Sequence, residues 1–229
     1  MKKILLLVSM IFITNIANAK IEHYASVKAG LGRTAIYVDG NDTFGDYFVK
    51  VYEQEMGING LMYESSGMLW ELSPALGIDW TPGNAYGTQN LYDWFHLRVE
   101  GELGYNHYAE NGKFKYNYMV MEKSAININQ IFLLANGYMD FRIDKFIPYV
   151  GLGFGYSFGK QEATLTANGE EVNDSTNDNG IIYALHLGVG YKYSNITTID
   201  FGCRRVYMPT QDNGQYIFDT IRLGTRFRI

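Results

Sequence analysis

Along most of the chain, bulky apolar residues and small or polar residues alternate one by one. In Tyr149–Phe158, the residues Val150, Leu152, Phe154, Tyr156 and Phe158 fall on one parity, and Gly151, Gly153, Gly155 and Ser157 on the other. Successive side chains leave a strand on opposite faces, so this period of 2 predicts a strand with one bulky face and one narrow face. The same alternation predicts strands over Tyr24–Arg33, Met68–Trp80, Phe95–Tyr105, Tyr183–Tyr193, Thr197–Tyr207 and Ile217–Ile229, with a further one inside Ser124–Phe141. Pro74 stands on the apolar parity of its strand and cannot donate a ladder hydrogen bond, which predicts a bulge there. In Ser124–Phe141, Ile126 and Ile128 share parity with Asn136, Tyr138 and Asp140. A bulge near Asn129–Ile131 would put the two groups on different faces.

The connections alternate in length. Segments 34–66, 108–123, 160–180 and 208–215 read as loops, and 81–93, 142–147 and 193–196 as turns. Loops gathered at one end and turns at the other predict antiparallel up-and-down neighbours and a transmembrane β-barrel with eight strands. The turn 81–93 is long for this pattern. Alternation alone does not say which face is inside, because a soluble lipocalin-type barrel alternates as well. Volume decides. An eight-stranded barrel encloses barely enough room for its own side chains. The Trp, Phe, Tyr and Leu sets would overfill it, whereas the glycine-and-charge sets fit. The bulky face is therefore expected to meet lipid, with Leu152, Phe154, Leu187, Phe201, Leu223 and Phe227 as lipid-facing positions.

Composition adds the address. Lys2 and Lys3 precede the apolar run Ile4–Ile13 and the small-residue segment Ala17-Asn18-Ala19, which predicts a signal peptide over 1–19 and a mature barrel over 20–229. No later apolar run reaches the ~20 residues of a spanning helix. The single Cys203 rules out an intrachain disulfide. The expected destination is the bacterial outer membrane. Outer-membrane lipid, lipopolysaccharide and the outer-membrane assembly machinery are the expected partners.

Candidate chemistry is confined to the narrow face. Lys28, Glu71, Arg98, Glu100, Glu102, Asp200, Arg204, Arg222 and Arg226 are expected to form a lumen charge network, since buried charges must be paired and hydrogen-bonded. A salt-bridged plug rather than an open channel follows. His96 and His186 with Glu100, Glu102 and Asp200 contain the groups for general acid–base work, but no Ser stands beside a His at strand spacing on an accessible face. No catalytic, metal or cofactor site is assigned. Gly151, Gly153 and Gly155 lack the third glycine and the helix of a dinucleotide motif. Asn173–Gly180 lacks the closing Glu of a calcium loop. Tyr105, Tyr108, Tyr207 and Tyr216 are expected in the outer aromatic girdle, and Trp80, Trp94, Phe146 and Tyr193 in the periplasmic one. Arg205 shares parity with outward Phe201 and Cys203, which suits snorkelling toward headgroup phosphates. The chain is acidic, with net charge −5, and segments 34–66 and 160–180 hold 11 of its 24 Asp and Glu residues. That balance argues against nucleic acid, and places any host or surface ligand at those two loops.

Three segments carry a likeness to a known group. They are Ile147-Pro148-Tyr149-Val150-Gly151-Leu152-Gly153, the upstream Asn136-Gly137-Tyr138-Met139-Asp140-Phe141, and Asp200-Phe201-Gly202. With the terminal strand Ile221–Ile229, they resemble the small outer-membrane barrels of the opacity-protein family and the OmpA-like transmembrane domain. Such barrels usually end on an outward aromatic; here Phe227 is followed by Arg228 and Ile229. The peptidoglycan-binding domain that follows some members has no counterpart in these residues. The resemblance implies an adhesin, a surface antigen, an envelope anchor or a narrow channel. The reading reached is a non-enzymatic outer-membrane barrel displaying acidic loops in an adhesin, surface-antigen or envelope-anchoring role. A narrow porin for small solutes is the alternative, and a lipid-modifying enzyme stands behind both.

Overall fold

A computed structural model describes residues 20–38, 42–43, 49–50, 54, 62–81, 94–116, 119–167, 170–209 and 215–229. The expected signal peptide and most of segments 34–66 and 81–93 lie outside the described residues. The strands are β1 (Lys20–Val38), β2 (Asp42–Thr43), β3 (Met62–Thr81), β4 (Phe95–Tyr116), β5 (Met119–Phe141), β6 (Phe146–Ala167), β7 (Glu170–Lys192), β8 (Thr197–Pro209) and β9 (Gln215–Arg228). All but the two-residue β2 form the wall. Each pairs antiparallel with its neighbour, and β1 pairs with β9 from Tyr24↔Arg228 to Tyr37↔Gln215, which closes the ring. A closed ring leaves no sheet edge within a bilayer.

The turn end is tight. Between β5 and β6, Ile143 and Phe146 exchange backbone hydrogen bonds of 2.8 and 3.0 Å, and Asp144 takes the left-handed conformation at φ 57°. The other end departs from expectation. Segments 108–123 and 160–180 are not loops: β4–β5 and β6–β7 continue as paired hairpins almost to their tips. Strands of 22 or 23 residues far exceed the ~9–11 needed to cross a bilayer. The wall therefore stands well above the membrane on that side.

Neither expected bulge is present. The β1–β3 ladder runs unbroken through Val27↔Pro74, and the β3–β4 ladder only skips Ser73 and Pro74 without changing register. Pro74 simply points outward. In β5 the pairing with β4 is continuous from Ser124 to Phe141, so Ile126, Ile128, Asn136, Tyr138 and Asp140 all point inward and are buried. The interior itself changes character along the strand. Near the turn end it is polar and charged; toward the outer end Leu69, Tyr108, Ile126, Ile128, Phe132, Ile182, Val206, Met208 and Phe218 pack into an apolar core. Tyr108 and Tyr216 belong to that interior rather than to the outer girdle, only 3% and 6% exposed.

Outside, the polarity is reversed. Leu152, Phe154, Leu187, Phe201, Leu223 and Phe227 are all exposed, Leu152 at 65%. They lie in a belt whose lower border carries Trp94, Phe95 and Phe141, with ring centroids 5.8–5.9 Å apart, and Phe146 on Tyr191 at 5.5 Å. Its upper border carries Trp70 on Tyr105 at 5.3 Å. An apolar band this continuous would not remain exposed to water. Aromatic-bordered, it fits the hydrocarbon layer. Above it the outward positions turn polar: Asn111 and Lys113 on β4, Lys160 and Glu162 on β6, Asn173, Ser175, Asn177 and Asn179 on β7.

Candidate functional site

The alternation that turns the bulky side chains outward turns the charged ones inward, so strands distant in sequence bring their charges to one axis. Lys28 comes from β1, Glu71 from β3, Arg98, Glu100 and Glu102 from β4, Asp200 and Arg204 from β8, and Arg222 and Arg226 from β9. All nine are buried. The upper part centres on Glu102. It accepts from Arg204 Nη1 at 2.9 Å, Arg222 Nη2 at 2.6 Å and Asn136 Nδ2 at 3.0 Å, with Lys28 Nζ at 3.5 Å. Glu71 sits against the same two guanidinium groups, its Oε1 2.6 Å from Arg222 Nε and its Oε2 accepting from Arg204.

The middle centres on Glu100, which accepts from Lys28, from the hydroxyls of Tyr24 and Tyr138 at 2.9 Å each, and from Arg98 Nη1 at 3.4 Å. Below it, Arg98 reaches Asp140 through Nε at 2.9 Å and Nη2 at 3.2 Å. Arg226 grips Asp200 with two bonds of 2.7 and 2.9 Å and touches Asp140 at 3.2 Å. Asp140, which is not among the residues the sequence places in the network, is the carboxylate that joins Arg98 to Arg226. With it, the buried ion-paired set holds five cations (Lys28, Arg98, Arg204, Arg222, Arg226) and five carboxylates (Glu71, Glu100, Glu102, Asp140, Asp200). Charges taken from water are tolerable only with such pairing.

Aromatic rings finish the packing. Arg98 Cζ lies 3.8 Å from the Tyr138 ring centroid. That ring occupies the space a side chain at Gly151 would fill. Arg204 Cζ lies 4.7 Å from the centroid of Phe132, whose ring fills the space above Gly104. Phe132 thus joins the charged floor to the apolar core above it. Gly104 and Gly151 are seats for rings, and substitution there would displace them.

Little room remains. Beside Lys28, Arg98, Tyr138 and Arg222 the cavity is about 10 Å³, at the limit for a single water. At the turn end a bowl of about 50 Å³ lies between Glu22, Asp79, Arg142 and Arg228. Asp79 there bonds His96 Nδ1 at 3.0 Å, and Arg228 pairs with Glu22 at 2.6 Å. His186 is remote from both ends of the lumen, its Nε2 3.1 Å from Asn136 Oδ1. Among the described residues no group of three His, Cys, Asp or Glu is arranged to hold a metal ion. On the outside, Arg205 is paired with Asp219 through bonds of 2.6 and 2.8 Å, above the belt residue Cys203.

No family model and no curated protein matches the chain. Among solved structures, neisserial surface protein A is 14% identical, with a TM-score of 0.41, 92% of this chain and 99% of that one being covered. Ail, the attachment invasion locus protein of Yersinia pestis, is 12% identical at a TM-score of 0.43, covering 90% and 99%. The outer membrane protease OmpT from Escherichia coli is 7% identical at a TM-score of 0.45, covering 93% and 97%. The closed ring, the aromatic-bordered apolar belt and the buried charged interior identify the chain by its own geometry as a small up-and-down β-barrel of the bacterial outer membrane.

Proposed function

We propose that this barrel is a non-enzymatic surface-display protein, an adhesin or surface antigen, whose wall is an anchor and whose binding surface lies above the membrane. The single observation that carries this reading is the balanced, ring-capped charge network. Beside Lys28, Arg98, Tyr138 and Arg222 it leaves a cavity of only about 10 Å³, and it commits the charged groups of the lumen to one another. The extended hairpins, by contrast, bear solvent-exposed polar side chains over their outer reaches. Ligands of a host or another surface would meet segment 160–180, the outer part of the β6–β7 hairpin, and segment 34–66. Outer-membrane lipid and lipopolysaccharide would surround the belt. The assembly machinery would deliver a chain that begins at Lys20 after removal of the signal peptide.

Single-channel recording of the refolded protein in planar bilayers tests the reading. No discrete conductance is expected. Regular open steps would make the protein a narrow porin instead.

A further inference from the structure

The wall is uneven above the belt. β6 and β7 pair without a shift from Ala167↔Glu170 down to Phe146↔Tyr191. β7 meets β8 only from Tyr183↔Tyr207 to Lys192↔Thr198. The end of β8, Met208 and Pro209, still lies beside Gly180, but along the ten residues Glu170–Asn179 no strand among the described residues lies on the β8 side of β7. In a strand, roughly half of the backbone N–H and C=O groups point to each side. β7 therefore offers a ladder of donors and acceptors beyond the point where β8 ends.

We propose that this upper edge of β7 is a docking site for an extended basic peptide segment, which adds to the sheet as a further strand. The inference rests on the surface-display reading and gives it a site and a partner class. Exposed edges are commonly blunted by proline, by charged side chains, lysine above all, or by a bulge. This one has no proline between Pro148 and Pro209 and no lysine or arginine between Lys160 and Lys192, so the charges that guard it are all acidic. The register along β6 is regular throughout. Side chains on the edge, including Asn173, Ser175, Thr176 and Asn177, are exposed and uncharged, and those that do carry charge are acids. Glu171 and Asp174 are exposed, while Asp178 takes a 2.5 Å hydrogen bond from the Tyr216 hydroxyl.

The acids choose between occupants. A second copy of the chain would set like charge against like charge. A lysine- or arginine-bearing segment would be drawn in by the field and held by main-chain hydrogen bonds, the combination that strand addition uses. The upper part of β3, Met62–Met68, is likewise unpaired on its β1 side. It is shorter, and its Glu64 is engaged by Lys115 at 2.5 Å. It serves as the internal comparison.

The test uses the full mature barrel refolded in zwitterionic detergent, with a short peptide alternating lysine and valine as probe. A control peptide has the same side chains but alternate backbone nitrogens methylated, which removes donors and keeps the charge. Binding of the first probe should slow amide exchange at alternate positions within 171–179 by about tenfold or more and leave 62–68 unchanged. The methylated peptide should bind at least about tenfold more weakly. Glu171→Lys with Asp174→Lys should weaken the first probe by a similar factor while the heat-shifted gel mobility of the folded barrel is unchanged. Equal binding of the two peptides would overturn strand addition in favour of plain charge attraction, and so would protection that misses 171–179. These outcomes are separable from the display reading: a non-conducting barrel without edge protection loses only the docking site, and a conducting barrel with edge protection loses only the anchor role.

Discussion

The barrel has two storeys built on one alternation. In the membrane storey Leu152, Leu187 and Phe201 point out and Arg98, Glu100 and Glu102 point in. In the storey above, Lys113, Lys160 and Asn177 point out while Ile126, Ile128 and Phe218 point in. β5 passes through both, keeping its inward parity from Ile126 to Asp140 while the inward chemistry changes from aliphatic to ionic. The surroundings make the difference. Where the exterior is hydrocarbon, the apolar groups face it and the polar groups must satisfy one another inside. Where the exterior is water, ordinary burial of apolar surface returns.

The comparison is broken most severely by unpairing the lower interior. Glu102→Leu removes the acceptor shared by Arg204, Arg222 and Lys28. It should cost about 3–5 kcal/mol, as loss of one partner from a buried ion pair does. Denaturant midpoints of the refolded barrel measure it. A loss under about 1 kcal/mol would mean that water enters and solvates the three cations, and that the floor is porous.

Phe132→Ala strikes the junction of the two storeys. It should cost about 3–5 kcal/mol as a core cavity, and it removes the ring that packs against Arg204. The same denaturation assay, run beside single-channel recording, would show destabilisation without conductance if the charged floor seals the lumen alone.

Leu152→Arg in the belt should cost roughly 2–4 kcal/mol and reduce the folded fraction on heat-modifiability gels. Asn177→Arg, outward in the upper storey, should stay within about 0.5 kcal/mol of the parent. Equal effects would remove the distinction between the two exteriors.

The smallest effect on folding is expected from trimming 160–180 to a short Gly/Ser turn, because the membrane ladders do not depend on it. Folding should be retained while whole-cell adhesion or antibody recognition is lost. Retained recognition would move the binding surface to segment 34–66 or to the β4–β5 hairpin.

Much of the wall is legible in the sequence because a lipid-facing strand has one face that must be bulky and one that must be narrow. Tyr149–Phe158 and Tyr183–Tyr193 declare both at once. The alternation is silent about which side of the chain meets which solvent, so Ile126 and Ile128, inward like Asn136 and Asp140, imitate a bulge. Over 160–180 the signal fades for another reason. Exposed residues recur at consecutive positions from Glu171 to Asn177 of β7, leaving no apolar parity to detect. The charge network is readable residue by residue from parity. Its pairing is not, since the arginine partners of Glu102 lie 102 and 120 positions away. Tyr108 and Tyr216 mislead because a tyrosine suits a girdle and a packed interior equally.

That remoteness governs how the barrel comes into being. Apart from Arg98 beside Glu100, the neutralising partners of the β4 carboxylates stand on β1, β8 and β9, the first and last strands of the wall. A chain halted after β7 holds Glu71, Glu100 and Glu102 without Arg204 or Arg222, and it has no means of sealing its sheet. Neutrality and closure arrive together, with the final strand. Intermediates are therefore poor tenants of a bilayer, and insertion should proceed as one late, all-or-none event whose slow step is the meeting of the two ends of the chain.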